Sequence, residues 1–220
     1  IISDPTRLTA LVILGIKDRE TFPLIFYRDN CADMALIKDD INEDYISSSE
    51  ALAITGTHLS HKDTREAVLT ALSFATKHGL KRILDIDFSP VMWCLTDLGD
   101  GETRFIASKH VTSELQEVLN HFDLIVGTEE EFHVAGGNTD TLKALKNVRK
   151  FSNAILVCKR GALGCSVYKD EIPNHLDEGL TITGVEKLID KLFADKKSPA
   201  VALIINSPGG SPTQSSLIAE

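Results

Sequence analysis

The sequence lacks an excess of positive charge, and this argues against one large class of partner. Its 220 residues contain 23 lysines and arginines against 32 aspartates and glutamates, which gives a formal net charge of −9. No basic face is available to offset the repulsion from a phosphate backbone, so we expect no nucleic acid as a partner. A small anionic ligand is compatible with this charge because it needs only a local group of donors.

Long apolar runs and paired cysteines are missing as well. No stretch approaches the roughly 20 apolar residues of a membrane-spanning helix, so we expect no membrane span and no signal peptide. The cysteines lie at four scattered positions without C-x-x-C spacing: Cys31, Cys94, Cys158 and Cys165. We expect them to be small apolar residues in a reducing compartment, the cytoplasm.

Apolar segments of strand length alternate with helical patterns along the chain. Two of these segments, 8–16 and 23–28, flank the charged turn KDRETF and predict a β-hairpin. Further strands are predicted at 51–56, 81–88, 122–128, 154–161 and 165–170, and helices at 113–121 and 139–151. This alternation is typical of an α/β fold with a mostly parallel sheet flanked by helices.

Residues 61–80 show the helical period most clearly. We expect Asp63 or Thr64 to cap this helix and Gly79 to follow its last turn. The apolar residues that share one face are Ala67, Val68, Ala71, Leu72 and Ala75.

Acidic residues follow two of the predicted strands, at the sheet edge where α/β folds bind ligands. Asp85 and Asp87 lie at i and i+2, and two carboxylates placed together need a cation or donors nearby. The alternative is that one caps a loop and the other is solvated. One carboxylate of 129–131 could reach a metal-bound water, while the others complement a helix N-terminus.

Two further features are weaker when taken alone. Gly161 and Gly164 beside Lys159 predict a tight turn whose backbone amides could approach an anion. His58 and His61 form an i, i+3 pair, which we expect to be a satisfied surface pair rather than a metal site.

Four blocks resemble, in order and spacing, those of the ribokinase-like (PfkB) carbohydrate kinases: GIKDRETFPLIFYRDNCADMAL, LDIDFSPVMW, GTEEEFHVAGG and VCKRGALGCSVY. The resemblance covers residues 3–185 and is greatest to the sugar-acid kinases of the family. It implies a central sheet flanked by helices and a small β lid over the sugar. It also implies ATP and Mg2+ as co-substrates, a sugar acid as the phosphate acceptor, and phosphate transfer to a primary hydroxyl.

Carried over residue by residue, the resemblance implies a set of site residues. It assigns contacts with the sugar acid to Tyr27, Arg28, Asn30 and Asp87. It assigns contacts with the nucleotide phosphates to Lys159, Gly161 and Gly164, and a contact with magnesium to Glu130. Arg28 would bind the carboxylate, a role that suits its planar fork of donors, and the alternative is an edge-strand arginine in solvent.

The chain also departs from the family pattern. Asp87 and Gly127 each stand where the family has asparagine, and Ser89 stands where it has arginine. The Gly-x-Gly-Asp motif that carries the family's catalytic base occurs nowhere in the 220 residues. We therefore expect phosphoryl transfer to be impaired or absent. The alternative is a non-catalytic module that binds a sugar acid or nucleotide, or a scaffold.

Residues 186–220 resemble a second family, the S49 signal peptide peptidases of the ClpP/crotonase-like class. There the turn in INSPGG helps to form an oxyanion hole, which would assign this role to Gly209 and Gly210. Because no motif positions a base, a peptidase is the least favoured function.

We expect a partial kinase domain at 1–185 joined to a helix–strand fragment at 186–220, through a frameshift, mis-assembly or fusion. Exposed sheet edges would then favour pairing of two copies.

Overall fold

The structure is a computed structural model that describes residues 2–17, 23–97, 100 and 102–176. The strands are β1 (Leu11–Leu14), β2 (Leu24–Tyr27), β3 (Ala51–Thr55), β4 (Lys81–Asp85), β5 (Leu124–Thr128), β6 (Ile155–Lys159) and β7 (Cys165–Tyr168). The α-helices are α1 (Glu43–Ser47), α2 (Lys62–Lys77), α3 (Lys109–Gln116), α4 (Glu129–Gly136) and α5 (Thr141–Arg149). Short 3-10 helices cover Ala32–Met34, Lys38–Asp40, Gly56–Leu59, Pro90–Trp93, Leu119–His121 and Gly161–Leu163.

The larger sheet has five strands in the order β3-β4-β5-β6-β7. Strands β3 to β6 are parallel, and β7 returns antiparallel to β6. Strands β1 and β2 form a separate antiparallel hairpin, whose tip at 18–22 lies outside the described residues. The predicted α/β class, with a mostly parallel sheet and a small hairpin, is therefore confirmed. Pairing of two copies through the sheet edges stays a prediction.

The core lies where the helices cover this sheet. Leu84, Ile125 and Leu156, at the centres of three adjacent strands, are fully buried. The predicted face of α2 is buried at all five of its positions: Ala67, Val68, Ala71, Leu72 and Ala75. Burial of apolar side chains from both layers holds the sheet and its helices together.

Two predicted helix starts were wrong. Helix α2 begins at Lys62, because the buried Thr64 donates its hydroxyl to the carbonyls of His58 and His61 instead of capping the helix. Helix α3 begins at Lys109 rather than at 113, because Ser108 accepts a hydrogen bond from the amide of Val111 and so provides the cap. The predicted end of α2 is confirmed, since Gly79 has a φ of +71°.

Two glycines permit close backbone approaches. A Cβ at Gly56 would lie 2.1 Å from the carbonyl oxygen of Ile86, so the ends of β3 and β4 touch. A Cβ at Gly136 would lie 2.3 Å from the carbonyl oxygen of Ala144, where α4 packs on α5. The first contact matters most for function, because it brings the residues that follow two strands together.

The four cysteines are all free. Cys31 and Cys158 are buried, as expected for small apolar residues, and burial raises the pKa of Cys158 to about 12. Cys94 is exposed, and Cys165 is half-buried. No helix in the described ranges has the length and apolar character needed to cross a membrane. Residues 177–220 are not among those described, so the boundary at 185, the fragment at 186–220 and the turn at Gly209 and Gly210 lie outside them.

Candidate functional site

Polar residues from four strand ends meet at the carboxyl edge of the larger sheet. The parallel register pairs Thr55 with Asp85, and Thr128 with Lys159. The segments that leave these strands therefore start side by side. This edge is where ligands collect in α/β folds, and most of the residues implied by the family resemblance lie along it.

Asp87 leaves β4 in a strained backbone conformation. Its φ is +41°, in the left-handed region that aspartate and asparagine tolerate better than most residues. Thr57 donates its hydroxyl to Asp87 Oδ2 at 2.9 Å and also contacts the Asp87 carbonyl. This backbone suits an aspartate as well as the family's asparagine, and the exposed residue can offer its other oxygen to a ligand.

Asp85 is paired with a cation, as expected for one of two neighbouring carboxylates. Its Oδ1 lies 3.5 Å from Nζ of Lys159 on β6. This oxygen is buried and makes no hydrogen bond to the described residues. A buried acceptor with spare capacity, beside a lysine, is a feature that a bound polar ligand would satisfy.

Glu131 supplies a third carboxylate to this edge. It is the third residue of α4 and forms a capping box with Thr128, whose amide donates to Oε2 at 2.6 Å. Its Oε1 accepts from the amide of Phe88 at 3.3 Å, which ties the β4 exit to the β5 exit. Burial raises the pKa of Glu131, against the lowering effect of the Thr128 amide.

Gly127 leaves the space that Glu131 occupies. A Cβ at Gly127 would lie 2.8 Å from Cδ1 of Ile86 and 3.2 Å from Oε2 of Glu131. The family's asparagine would therefore collide with these side chains as they are placed here. The departure from the family at 127 goes together with a half-buried carboxylate at 131.

Glu130, the predicted magnesium residue, lies in the first turn of α4, and its role stays a prediction. It is exposed, and its carboxylate makes no hydrogen bond to residues in the described ranges. Its neighbour Glu129 accepts from Arg160 at 3.4 Å and from Thr141 at 3.2 Å. Sequence reasoning did not separate these three glutamates, although the T-x-x-E spacing of the capping box distinguishes Glu131.

The turn beside Lys159 has the open backbone that its sequence predicts. Gly161 and Gly164 have φ values of +54° and +80°, and the amide of Arg160 donates to the Gly164 carbonyl at 2.7 Å. Nothing lies within 4 Å of a Cβ built at Gly161. A ligand could therefore approach this backbone closely.

The hairpin brings Arg28 toward the sheet. Arg28 follows β2, is 15% exposed, and forms an ion pair with Asp33 through Nη2. Its buried Nε makes no hydrogen bond to the described residues. Tyr27 is 57% exposed, and the exposed Asn30 has a φ of +47° and accepts a hydrogen bond from Arg7.

His58 lies just after β3, and sequence reasoning expected it to be only one of a satisfied surface pair. It is half-buried, and its Nδ1 lies 3.0 Å from Oγ1 of Thr55, while the ring of His61 bonds Ser60 instead. Burial and the charge of Arg28 lower the pKa of His58, whereas Asp33 and Asp87 raise it. The two rings are thus satisfied as expected, but by different partners, and His58 is more buried than a surface residue. Its position just after β3 is the signal that could have found it.

A metal would need ligands from outside this set of side chains. The described part of the chain contains no group of three or more histidines, cysteines, aspartates or glutamates that could hold a metal ion. Magnesium usually keeps waters and binds through one or two carboxylates plus phosphate oxygens. The carboxylates of Asp85 and Glu131 at the strand ends are oxygen donors of the kind that could hold such an ion, with water and phosphate oxygens as its other ligands.

Comparison with known proteins agrees with this geometry. The model of the "pfkB family carbohydrate kinase" family matches residues 2–187. A 5-dehydro-2-deoxygluconokinase of Bacillus anthracis is 33% identical over 173 residues, which cover 76% of this chain and 48% of that protein. The enzyme of the same name from Geobacillus kaustophilus is 32% identical over 166 residues, which cover 73% of this chain and 46% of that protein. The chain therefore spans about half the length of the curated relatives it matches.

Solved structures share the fold at lower identity. A fructokinase from Vibrio cholerae, with fructose, ADP and calcium bound, has a TM-score of 0.60 at 18% identity and covers 80% of this chain and 51% of that one. A putative ribokinase II from E. coli, in complex with ATP and magnesium, has a TM-score of 0.59 at 19% identity, with coverages of 74% and 48%. The similarity of this chain to these two structures shows a shared fold and nothing further.

Proposed function

Because this chain belongs to the pfkB family of carbohydrate kinases, we propose that it binds a sugar acid between the hairpin and the strand ends, and a magnesium–nucleotide complex beside Lys159. The observation that carries this proposal is the group of polar residues at the carboxyl edge of the sheet, where Asp85 lies beside Lys159 and Thr57 holds Asp87 at the exit of β4. A guanidinium from the hairpin, that of Arg28, and a carboxylate from the sheet, that of Asp87, are assigned to the sugar acid. The first can bind an acid group and the second can accept hydrogen bonds from sugar hydroxyls.

The sugar-acid end depends on Arg28. Its pairing with Asp33 uses Nη2 and holds the guanidinium in place, which leaves donors for a second carboxylate. The relatives named above carry the name of a kinase for 5-dehydro-2-deoxygluconate, an acid of this kind. A sugar acid of that class is therefore the proposed ligand.

The nucleotide end depends on Lys159 and the turn that follows it. Lys159 would meet phosphate oxygens, and the amides at Gly161 and Gly164 can approach them. Glu131 or Glu130 would face the magnesium ion, and Asp85 holds Lys159 in place. Bound magnesium–ATP supplies the phosphoryl group that a kinase transfers.

We predict binding with almost no turnover for the 220-residue chain. Its sequence contains no Gly-x-Gly-Asp, so the family's aspartate base and the amides beside it are missing from these residues. Loss of a general base alone lowers a rate by about 10²–10⁴-fold. A coupled assay of ADP release should detect almost no reaction, and turnover in the ordinary kinase range of about 1–100 per second would refute the prediction.

The sugar-acid proposal is tested by calorimetry with 5-dehydro-2-deoxygluconate. Replacing a charged partner of a bound carboxylate costs about 2–5 kcal/mol, so Arg28→Gln should weaken binding by at least about thirtyfold. Arg65→Gln is a matched control, because Arg65 is 16% exposed and also pairs with carboxylates, but on α2. Equal affinity in the Arg28 variant and the parent would overturn the assignment of Arg28.

A further inference from the structure

An ion pair within the protein already occupies the lysine of the proposed nucleotide site. Lys159 ends β6 and Asp85 ends β4, and Oδ1 of Asp85 lies 3.5 Å from Nζ of Lys159. The strand between them is in register with both, since β5 pairs Val126 with Asp85 and Thr128 with Lys159. The ion pair therefore crosses the carboxyl end of β5, at the edge where α/β folds bind ligands.

This ion pair lacks a hydrogen bond. Oδ1 of Asp85 is buried and accepts no hydrogen bond from the described residues, and Nζ of Lys159 donates none to them. A lysine makes charge-assisted hydrogen bonds of about 2.7–2.9 Å to phosphate oxygens, which are stronger than a contact of this kind. The side chain of Lys159 is 27% exposed, so a ligand can reach it. A phosphate group can therefore replace Asp85 as the partner of this lysine.

The carboxylates along this edge make such an exchange unfavourable for a phosphate that arrives alone. Glu131 accepts a hydrogen bond from the amide of Phe88, the residue after Asp87, so both carboxylates lie near the exit of β4. A bare phosphate would add negative charge to this region and would leave Asp85 without its cation. A divalent cation offsets both costs, because the side chain of Asp85 is 47% exposed and carboxylate oxygens are ligands that magnesium prefers.

We propose that Asp85 is the residue that makes nucleotide binding depend on magnesium. In the free protein Asp85 pairs with Lys159. When a nucleotide binds, its phosphates take over Lys159, and the carboxylate of Asp85 turns to the metal ion that accompanies them. This inference rests on the proposed function, since it assigns a second role to a residue of the nucleotide site.

Calorimetry with ATP, in magnesium and in a chelator, tests this role. In the parent, the heat of binding should disappear when the metal is chelated. In Asp85→Asn, a saturable heat should remain under chelation, and the affinities with and without magnesium should differ by less than about tenfold, because the competing charge on Lys159 is gone. Asp85→Ser also removes the carboxylate and gives the same test if the asparagine variant does not fold. A magnesium requirement as strict as that of the parent would overturn the inference.

Glu129→Gln is the matched control. It removes the same charge close to the same turn, but Glu129 pairs with Arg160 rather than with Lys159. This variant should keep the magnesium requirement of the parent. Loss of the requirement in both variants would mean that total charge, and not the pair with Lys159, sets it, and would overturn the inference. The metal-free binding gained in Asp85→Asn should also disappear when Lys159→Ala is added.

Inorganic pyrophosphate separates this inference from the proposed function, because it has the phosphates of a nucleotide without the nucleoside. Without metal, it should shift the NMR signals of the Gly161 and Gly164 amides, with half-saturation at an at least about tenfold lower concentration in Asp85→Asn than in the parent. If ATP binds to neither protein but pyrophosphate shows this difference, the proposed nucleotide is wrong and the role of Asp85 stands. If ATP binds with magnesium but neither ligand distinguishes the two proteins, the role of Asp85 is overturned and the proposed function stands.

Discussion

Three adjacent glutamates show how strongly the position of a single residue decides its chemistry. Glu129 pairs with Arg160, Glu130 faces solvent, and Glu131 is half-buried among the strand ends. The three residues have the same chemistry, and only the helix geometry of α4 separates them. Because Thr128 caps this helix, the residue three positions later points back toward the sheet.

The burial of Glu131 predicts a pH dependence of stability. Its pKa is raised in the folded protein, so between its ordinary value of 4.5 and that higher value the folded state holds more protons than the unfolded state. The free energy of unfolding should therefore fall as the pH rises through this window. When Glu131→Gln is unfolded chemically at several pH values, its free energy of unfolding should lack this pH-dependent contribution.

Glu130→Gln is the control for this measurement, because Glu130 is the preceding glutamate of α4 and is exposed. It should retain the pH dependence of the parent and change stability by no more than about 0.5 kcal/mol. The reverse ranking of the two variants would show that α4 is rotated relative to the placement described here.

Among the structural elements, the pair α4 and α5 is constrained by a close approach of their backbones. Gly136 lies at the end of α4 with the backbone of Ala144 where its Cβ would be. An alanine cannot be accommodated there without moving one helix, although alanine favours helix formation by about 1 kcal/mol over glycine. At this position the close packing against α5 therefore disfavours alanine, whereas the helix propensity of alanine favours it.

Gly136→Ala should lower the free energy of unfolding by about 1–3 kcal/mol, because overpacking outweighs propensity. Ser73→Ala on the exposed face of α2 gives the contrasting case, with a change within about 0.5 kcal/mol. Urea unfolding of both variants measures the difference. A stabilised Gly136 variant would contradict the close approach of α4 and α5.

The sequence predicts elements best where a periodic pattern is long. The buried face of α2 and the alternation of strands and helices follow from hydrophobic spacing alone, and both are confirmed. The start of α2 at Lys62 was not predictable in this way. It depends on Thr64 bonding backwards to two carbonyls, a choice that tertiary burial decides.

At the scale of the whole molecule, the site depends on contacts between distant segments. Thr57 meets Asp87 across 30 residues of sequence, and the amide of Phe88 donates to Glu131 across 43 residues. The periodic spacing of hydrophobic residues does not predict such contacts between distant segments. The family resemblance supplied Arg28 and Asp87, but it contained nothing that would single out His58 or Glu131.

The hairpin itself is held by few contacts of its own. Every residue of β1 is exposed, and so are Ile25 and Tyr27 on β2. An isolated two-stranded hairpin is marginally stable in water, so its position depends on the links that flank it. The ion pair of Arg28 with Asp33 and the hydrogen bond from the Ala32 amide to the Leu8 carbonyl are two such links. Substrate binding at Arg28 would therefore involve the segment that holds the hairpin.

Calorimetric titration of the 220-residue chain with ATP tests the central claim most directly, because that claim is a nucleotide site at the carboxyl edge of the sheet. We predict a saturable heat of binding that requires magnesium and disappears when the metal is chelated. The heat should also be reduced in Lys159→Ala. The absence of any binding heat with millimolar ATP and magnesium would contradict the account.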